Sequence, residues 1–383
     1  MPPKSTAPSA DVAVIGAGVV GASCAWHAVQ AGLRVTVLDR GPVAGGTTGA
    51  GEGNILISDK LPGPELDLTR LSIRQWQRIA AEVGGFEYEP KGGLVVAASE
   101  AGLAELLDTS RAQSAAGLET VRIEPDALVD YEPHLASDLV GGAFYPEDAQ
   151  VQPMLAAAHL LVAARSRGAQ VRLGVEATGF LRDGDRVVGV LTDEGRVLAG
   201  AVINAAGTWG GGIAALAGLE LPVLPRRGFI LVTEPLPRVV RHKVYAAEYI
   251  SDVASGDAAL HVSPVVEGTR AGPVLIGSSR ERVGFDRTMS VPVLCRLAEQ
   301  AIRLFPVLAD VAVIRAYRGF RPYTPDHLPI IGPDRRAPGL YHACGHEGAG
   351  VGLAAATGHL LRQVLAGGRP DVDLAPFRPE RFE

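Results

Sequence analysis

The spacing of apolar residues changes along the chain, and each spacing predicts an element. Val12 to Ile15 is an unbroken apolar run, suited to a strand buried on both faces. A glycine-rich turn follows. The pattern then predicts a helix to about Ala31, stopped by Gly32, and a second buried strand over 34–38 that ends at Asp39. Further on it predicts a short strand over 54–57 and a helix over 68–83, with Leu71, Trp76, Ile79 and Ala80 near one face. A strand over 92–98 and a helix over 100–115 come next. Pro125 marks a short helix start, 141–145 reads as a strand, 153–167 as an alanine-rich amphipathic helix and 171–173 as a buried strand.

From 176 to 203 the period changes. Phe180, Val187, Val188, Val190 and Val197 are separated by Asp183-Gly184 and Glu194-Gly195, both hairpin signals. This predicts a small antiparallel meander, after which 201–203 returns to the main sheet and ends at Asn204-Ala205-Ala206-Gly207-Thr208-Trp209. The stretch 222–313 is rich in β-branched residues and turns, with strands over 228–233, 259–263 and 274–277 and a helix over 291–304. A last helix runs to about Leu365.

Gly16-Ala17-Gly18-Val19-Val20-Gly21 lies between the first strand and the first helix, and Asp39 ends the second strand 18 residues past Gly21. This is the dinucleotide-binding fingerprint in its structural context. Gly16 permits the tight turn, Gly18 keeps side chains away from a pyrophosphate, and Gly21 lets the helix pack closely. The helix N-terminus offers free N–H groups and partial positive charge to phosphate. Asp39 is placed to accept from a ribose hydroxyl, which favours FAD or NAD over NADP. The loop 41–53 adds glycines that let backbone approach a ligand, and Thr47 and Thr48 add hydroxyls within reach of phosphate.

Composition narrows the class. The chain has 383 residues, 47% apolar and 20% charged, enough for two domains of a globular enzyme. A net charge of −6 offers no basic surface for nucleic acid. Cys24, Cys295 and Cys344 are far apart, which argues against a disulfide framework, a zinc site or an iron–sulfur cluster within this chain, so no metal is expected. A reduced, cytoplasmic setting is the simple inference. The first ten residues are polar and rich in proline and serine, without the apolar core of a signal peptide, and no apolar run is long enough to span a membrane.

Four elements, in order, resemble the FAD-dependent amino-acid oxidase superfamily of glycine oxidase, D-amino acid oxidase and sarcosine oxidase. They are VIGAGVVG with Asp39, the Gly/Thr loop with GAGEGN, VINAAGTW, and GFRPYTPDHLPIIG with GHEGAGVGLAAATG. The phrases GGTTGAGEGNILISDK and CGHEGAGVGLAAATG are similar to those of the β subunits of D-hydroxyproline dehydrogenase, opine dehydrogenase and hydrogen cyanide synthase. The resemblance implies an α/β fold with a Rossmann-like FAD-binding domain, carrying the inserted meander, and a mainly antiparallel α+β substrate domain. The FAD-binding domain is expected over 8–86, 150–221 and 318–368, the substrate domain over 87–149 and 222–317, with 1–7 a flexible N-terminus. It implies hydride transfer from a small D- or secondary amino acid to flavin N5, giving an imine, with electrons passed to partner subunits that carry iron–sulfur centres.

The same resemblance assigns residues. Arg321, in the Gly319-Phe320-Arg321-Pro322 element, is the expected ligand of the substrate carboxylate, as a guanidinium fork suits that group. Tyr249, His261 and His346 are further candidate substrate contacts, with ordinary packing as the alternative for each. Expected FAD contacts are Gly16 to Gly21, Asp39, Arg40, Thr47, Thr48, Gly51, Glu52, Gly53, Asn54, Val175, Ala206, Gly207 and Trp209. In the last glycine-rich element Gly348, Ala349, Gly350, Val351, Gly352 and Leu353 are expected to turn backbone N–H groups to the flavin, where reduction places negative charge. Glu52 is also a candidate base or cation contact, or a cap of the next turn. The flavin is expected to be non-covalent, since the covalent cysteine position of sarcosine oxidases holds Arg321-Pro322-Tyr323 and the first loop has no histidine. The rival readings are a true oxidase that makes hydrogen peroxide, an NAD-dependent oxidoreductase and a non-catalytic flavoprotein.

Overall fold

The computed structural model describes residues 10–250 and 256–383; the expected flexible segment 1–7 lies outside them. Two eight-stranded sheets organise the chain. In the first, Ala10–Ile15 is the central strand. It pairs in parallel with Val35–Asp39 on one side and Gly195–Asn204 on the other. Gln170–Leu173 and Leu340–Cys344 extend the parallel set outward, and Ile330–Pro333 closes one edge antiparallel. Val12 to Val14 are fully buried, as a parallel strand covered on both faces should be.

One face is covered by helices Val19–Gln30, Pro64–Glu82, Pro153–Ser166 and Gly350–Leu365, which pack against one another as well as the sheet. Their contact residues are small: Ala22, Ala25 and Ala354 to Ala356 have almost no exposed surface. Trp76 fills the space between two of these helices, and its indole N–H donates to the Val351 carbonyl at 3.0 Å. The other face carries the meander Ala177–Asp183, Arg186–Thr192 and Gly195–Asn204. Its third strand is continuous: Leu198 still pairs with Gly189 in the meander, and Ala199 already pairs with Ala10 in the main sheet. No separate return strand at 201–203 is needed.

The second sheet runs in the order Val313–Tyr323, Leu224–Thr233, Val274–Arg280, His261–Gly268, Lys243–Ala246, Gly93–Ala97, Gly141–Tyr145 and Val121–Ile123. Its pairings are antiparallel except that of Lys243–Ala246 with Gly93–Ala97. Helix Val291–Leu304 packs on it through Val293, Leu297, Ala301 and Leu304.

Several sequence expectations shift. Gln170–Leu173 is a sheet edge rather than a buried strand, and Leu173 is 44% exposed because only Val35–Asp39 flanks it. The strand expected at 259–263 begins at His261 and runs to Gly268. Lys243–Ala246 and Val313–Tyr323 were not anticipated as strands. The second of these crosses the expected boundary at 318, since Arg321 and Tyr323 still pair with Arg226 and Leu224 of the second sheet. No described helix is long and apolar enough to cross a membrane.

Candidate active site

The two sheets meet around a cavity of about 370 Å³. The fingerprint forms one end of it. Gly16 has φ +119°, and a Cβ there would overlap the Ala205 carbonyl oxygen. Gly21 lies on the first helix turn directly against the Gly16 carbonyl, where no Cβ fits. The strand–turn–helix can therefore close only with these glycines. Asp39 ties the turn together: its Oδ2 accepts from the Ala17 N–H at 2.7 Å and its Oδ1 from the Gly41 N–H at 2.8 Å. Each oxygen keeps a lone pair for a further donor.

Thr48 Oγ1 accepts from the Val19 N–H at 3.1 Å, so this hydroxyl sits at the helix N-terminus. Thr47 instead donates to the Phe320 carbonyl at 2.7 Å and meets Thr208 at 3.0 Å. It ties the loop to the second sheet. Arg40 reaches across this end, with its guanidinium over the Trp209 ring and ion-paired to Glu176 at 3.2 Å, and Phe285 stacks on the same indole.

Most of the expected cofactor contacts line this cavity: Gly16, Gly18, Val19, Val20, Asp39, Arg40, Thr47, Thr48, Gly51, Glu52 and Asn54, then Val175, Ala206, Gly207 and Trp209, then Gly348, Gly350 and Val351. Six do not. Ala17 and Gly21 face the strand turn, and Gly53 is pressed against the Val151 carbonyl. Ala349, Gly352 and Leu353 sit behind the wall, beside a small void shared with Asp59 and Lys60, and the Gly352 carbonyl accepts from Ser72 and Trp76. A helix has one face, and these residues point to the other side of it.

At the far end Arg321, Tyr249 and His346 line the cavity together. Arg321 Nη1 donates to the Ser279 carbonyl at 2.8 Å, and among the described residues no carboxylate lies within ion-pair distance of it. Burial, and then the like charge of Arg280, pull its pKa down to about 10, so it stays charged at neutral pH. Arg280 itself is buried, stacked over the Tyr249 ring at 4.9 Å. No motif marks this arginine in the sequence; the register of two strands brings it here. His346 is buried, its Nε2 meets Thr357 Oγ1 at 3.0 Å, and burial pushes its pKa down to about 3. It is therefore a neutral, packed imidazole.

His261 is a correction. It pairs in register with Arg280 at the end of its strand, next to Asp257 at 3.7 Å, and does not line the cavity. Tyr245 is likewise off it, with its hydroxyl donating to Ser58 Oγ at 2.5 Å.

Glu347, within the last glycine-rich element, was not singled out by sequence. Its carboxylate accepts from Arg226 Nη1 at 2.5 Å and contacts His327 Nδ1 at 2.9 Å. Burial opposes its charge, but the His327 hydrogen bond and the Arg226 cation outweigh burial and hold its pKa below the usual value. Arg226 has no exposed surface. Glu347→Ala is expected to cost about 1.5–3 kcal/mol of stability, because it removes a charge-assisted hydrogen bond from a buried guanidinium. The contribution is complete above the ordinary carboxylate pKa of 4.5 and fades as pH falls below it. Denaturant melts at pH 7 test this, and an unchanged midpoint would contradict it.

The family model described as FAD dependent oxidoreductase (DAO) matches residues 11–364. The chain belongs to the DAO family of FAD-dependent oxidoreductases. It is 30% identical to hydrogen cyanide synthase subunit HcnC of Pseudomonas aeruginosa, over 97% of this chain and 96% of that one. It is 31% identical to the glycine oxidase of the same organism, over 96% and 98%. The solved glycine oxidase of Geobacillus kaustophilus superposes with a TM-score of 0.88 at 25% identity, covering 97% of this chain and 99% of that one. The DAO cofactor suits the cavity seen here: side-chain-free backbone at Gly16 and Gly18, a 12-residue helix whose N-terminus faces it, and an acid beside it.

Proposed function

We propose that the protein oxidises the C–N bond of a small D- or secondary amino acid, proline- or glycine-like, as a FAD-dependent dehydrogenase. The observation that carries this reading is Arg321, a half-buried cation in the cavity wall that no carboxylate of the described residues neutralises. Arg280 beside it adds to the demand for an anion. A planar guanidinium fork meets a carboxylate with two parallel hydrogen bonds and so fixes the α-carbon. The names of the relatives, a glycine oxidase among them, support an amino acid as that anion.

The chain's own groups supply binding, orientation and electrostatics. In this reading Gly16 and Gly18 let the pyrophosphate approach, the Val20 N–H and the Thr48 hydroxyl would hold it, and Asp39 would hold a ribose hydroxyl. Gly348, Gly350 and Val351 turn the start of the last long helix toward the cofactor ring, where its partial positive charge favours added negative charge. When bound, FAD would supply the hydride acceptor for the substrate α-carbon. Water then hydrolyses the released imine. Residues 8–86, 150–221 and 318–368 make up the proposed cofactor-binding unit, and 87–149 with 222–317 the substrate unit, with the strand Val313–Tyr323 shared between the two.

The β-subunit-like phrases favour a dehydrogenase that passes electrons to iron–sulfur partner chains, and the name of HcnC, a subunit, supports this. A true oxidase is the second reading, supported by the glycine oxidase relatives. An anaerobic absorbance titration with D-proline, cis-4-hydroxy-D-proline, glycine, sarcosine and D-alanine, followed by air, tests both. Bleaching by one of them with slow return of colour in air is expected. Fast return means an oxidase, and no bleaching by any overturns the amino-acid reading. Acid precipitation is expected to leave the yellow colour in the supernatant, since no cysteine lines the cavity among the described residues. A yellow pellet would show a covalent bond.

A further inference from the structure

Glu52 lines the cavity, is 9% exposed, and comes from the loop that follows the fingerprint. Its Oε2 accepts from Asn54 Nδ2 at 3.2 Å. Its Oε1 has no hydrogen-bond donor among the described residues. The nearest cation, Lys243 Nζ, is 3.9 Å from Oε1 and is already engaged by Glu267 Oε2 at 2.6 Å. Two carboxylates thus share one ammonium, and the tighter pair leaves Glu52 short of a partner. The Asn54 amide oxygen beside it is also buried without a donor. A buried acceptor that lacks a donor is costly unless a ligand supplies one.

The surroundings favour a ligand. Among the described residues, Lys243, Glu267, Arg321, Tyr249 and Tyr317 are the titratable groups whose fields bear on Glu52 or feel its charge. Gly277, on the strand behind it, leaves room only because it lacks a side chain: a Cβ there would come within 2.5 Å of Oε1. The terminal carboxylate torsion is soft, so a small turn presents either oxygen to the cavity. Burial, opposed by Lys243 and Arg321 and reinforced by Glu267, holds the pKa above the ordinary glutamate value, which makes the carboxylate a better proton acceptor. One cavity therefore contains an unneutralised cation, Arg321, and an acid short of donors, Glu52. An α-amino acid carries the two complementary charges on one carbon.

We propose that Glu52 binds the substrate ammonium and takes its proton, so that the cavity admits amino acids as zwitterions and turns them over as neutral amines. One N–H bond of the ammonium breaks and an O–H bond forms on Glu52. The nitrogen keeps the electron pair as a lone pair, and nothing is oxidised in this step. That lone pair is what the later loss of hydride from the α-carbon requires. The inference rests on the amino-acid reading above.

The test uses FAD-loaded wild type, Glu52→Gln and Glu52→Asp, with D-proline and sarcosine as probes and 2-furoate as a carboxylate without a basic amine. The wild-type rate of anaerobic bleaching is expected to be flat from about pH 7 to 9, because the protein removes the proton. Glu52→Gln is expected to bleach roughly 100-fold more slowly at pH 7.5. Its rate should climb about tenfold per pH unit, since only the neutral fraction of the amine reacts. Its Kd for 2-furoate, read from the visible spectrum, should stay within about threefold of wild type, as Arg321 is untouched. Glu52→Asp retains an acceptor and should keep the flat profile at a lower rate. A Glu52→Gln variant with the wild-type rate and a flat profile would overturn the proposal. So would a steep profile in Glu52→Asp, which settles the matter if the Gln variant fails to hold FAD. If neither amine nor any other amino acid bleaches the wild type, the amino-acid reading itself has failed, and this role for Glu52 falls with it.

Discussion

Replacing Arg321 with alanine is expected to raise KM for the amino-acid substrate by roughly 30-fold to several-thousand-fold, the equivalent of about 2–5 kcal/mol for a carboxylate left buried and unpaired. Arg321→Lys should fall between the two, because an ammonium keeps the charge but not the two-pronged geometry. The same change should not weaken the substrate-free protein by a similar amount. Arg321 is held against burial and against the like charge of Arg280, and its own bond is a single contact to the Ser279 carbonyl. Removing it relieves repulsion while losing that one bond. Steady-state kinetics and a thermal melt on the same preparation separate these effects. A variant with unchanged KM would remove the carboxylate role, whereas a melt that falls in step with activity would recast Arg321 as a structural residue.

Gly21→Ala is expected to yield protein that purifies with little or no FAD. The added methyl group would overlap the Gly16 carbonyl oxygen, which is backbone and cannot swing aside. The helix must then lift from the strand, and the N–H groups at its start move with it. Overpacking of this kind costs about 1–3 kcal/mol in an ordinary core. Here the same displacement also spoils the phosphate cradle, so a loss of at least about tenfold in FAD affinity is expected. Gly212→Ala is the control. Its helical backbone is ordinary and nothing lies near the new Cβ, so FAD content and stability should match wild type or rise slightly. Equal FAD content in the two variants would show that the contact between Gly21 and Gly16 is not what holds the cradle.

How much of the site was legible depended on how local its cause was. Gly16, Gly21 and Asp39 act within one strand–turn–helix–strand unit, so their spacing alone placed them, and the Ala17 and Gly41 N–H groups meet Asp39 as that unit closes. The helices 100–115 and 291–304 were legible because their causes are local: Ser99 caps the first by accepting from the Gly102 N–H, and the second repeats apolar residues at Val293, Leu297, Ala301 and Leu304. Thr47 was expected at phosphate, yet its hydroxyl is committed to Phe320, a residue 273 positions away. His261 was expected at the substrate and lies off the cavity, because where its strand begins was misjudged and the register sets it beside Arg280. The strand Val313–Tyr323 reads as polar and arginine-rich; it forms because Leu224–Thr233 offers it a long partner, not because of its own alternation.

The sequence by itself determined the cofactor class and the strand–turn–helix–strand unit that opens the chain, and it marked Arg321 as the candidate for a carboxylate. Each of these rests on contacts between neighbours in the chain or on a motif whose residues are adjacent. Only the tertiary structure decided which of the expected residues reach the cavity, that Arg280 bears on Arg321, that Glu347 neutralises Arg226, and that Lys243 is taken by Glu267 and leaves Glu52 Oε1 without a donor among the described residues. Charge balance in a buried site depends on which side chains distant strands bring together, and strand register, unlike a glycine turn, is set by the whole sheet.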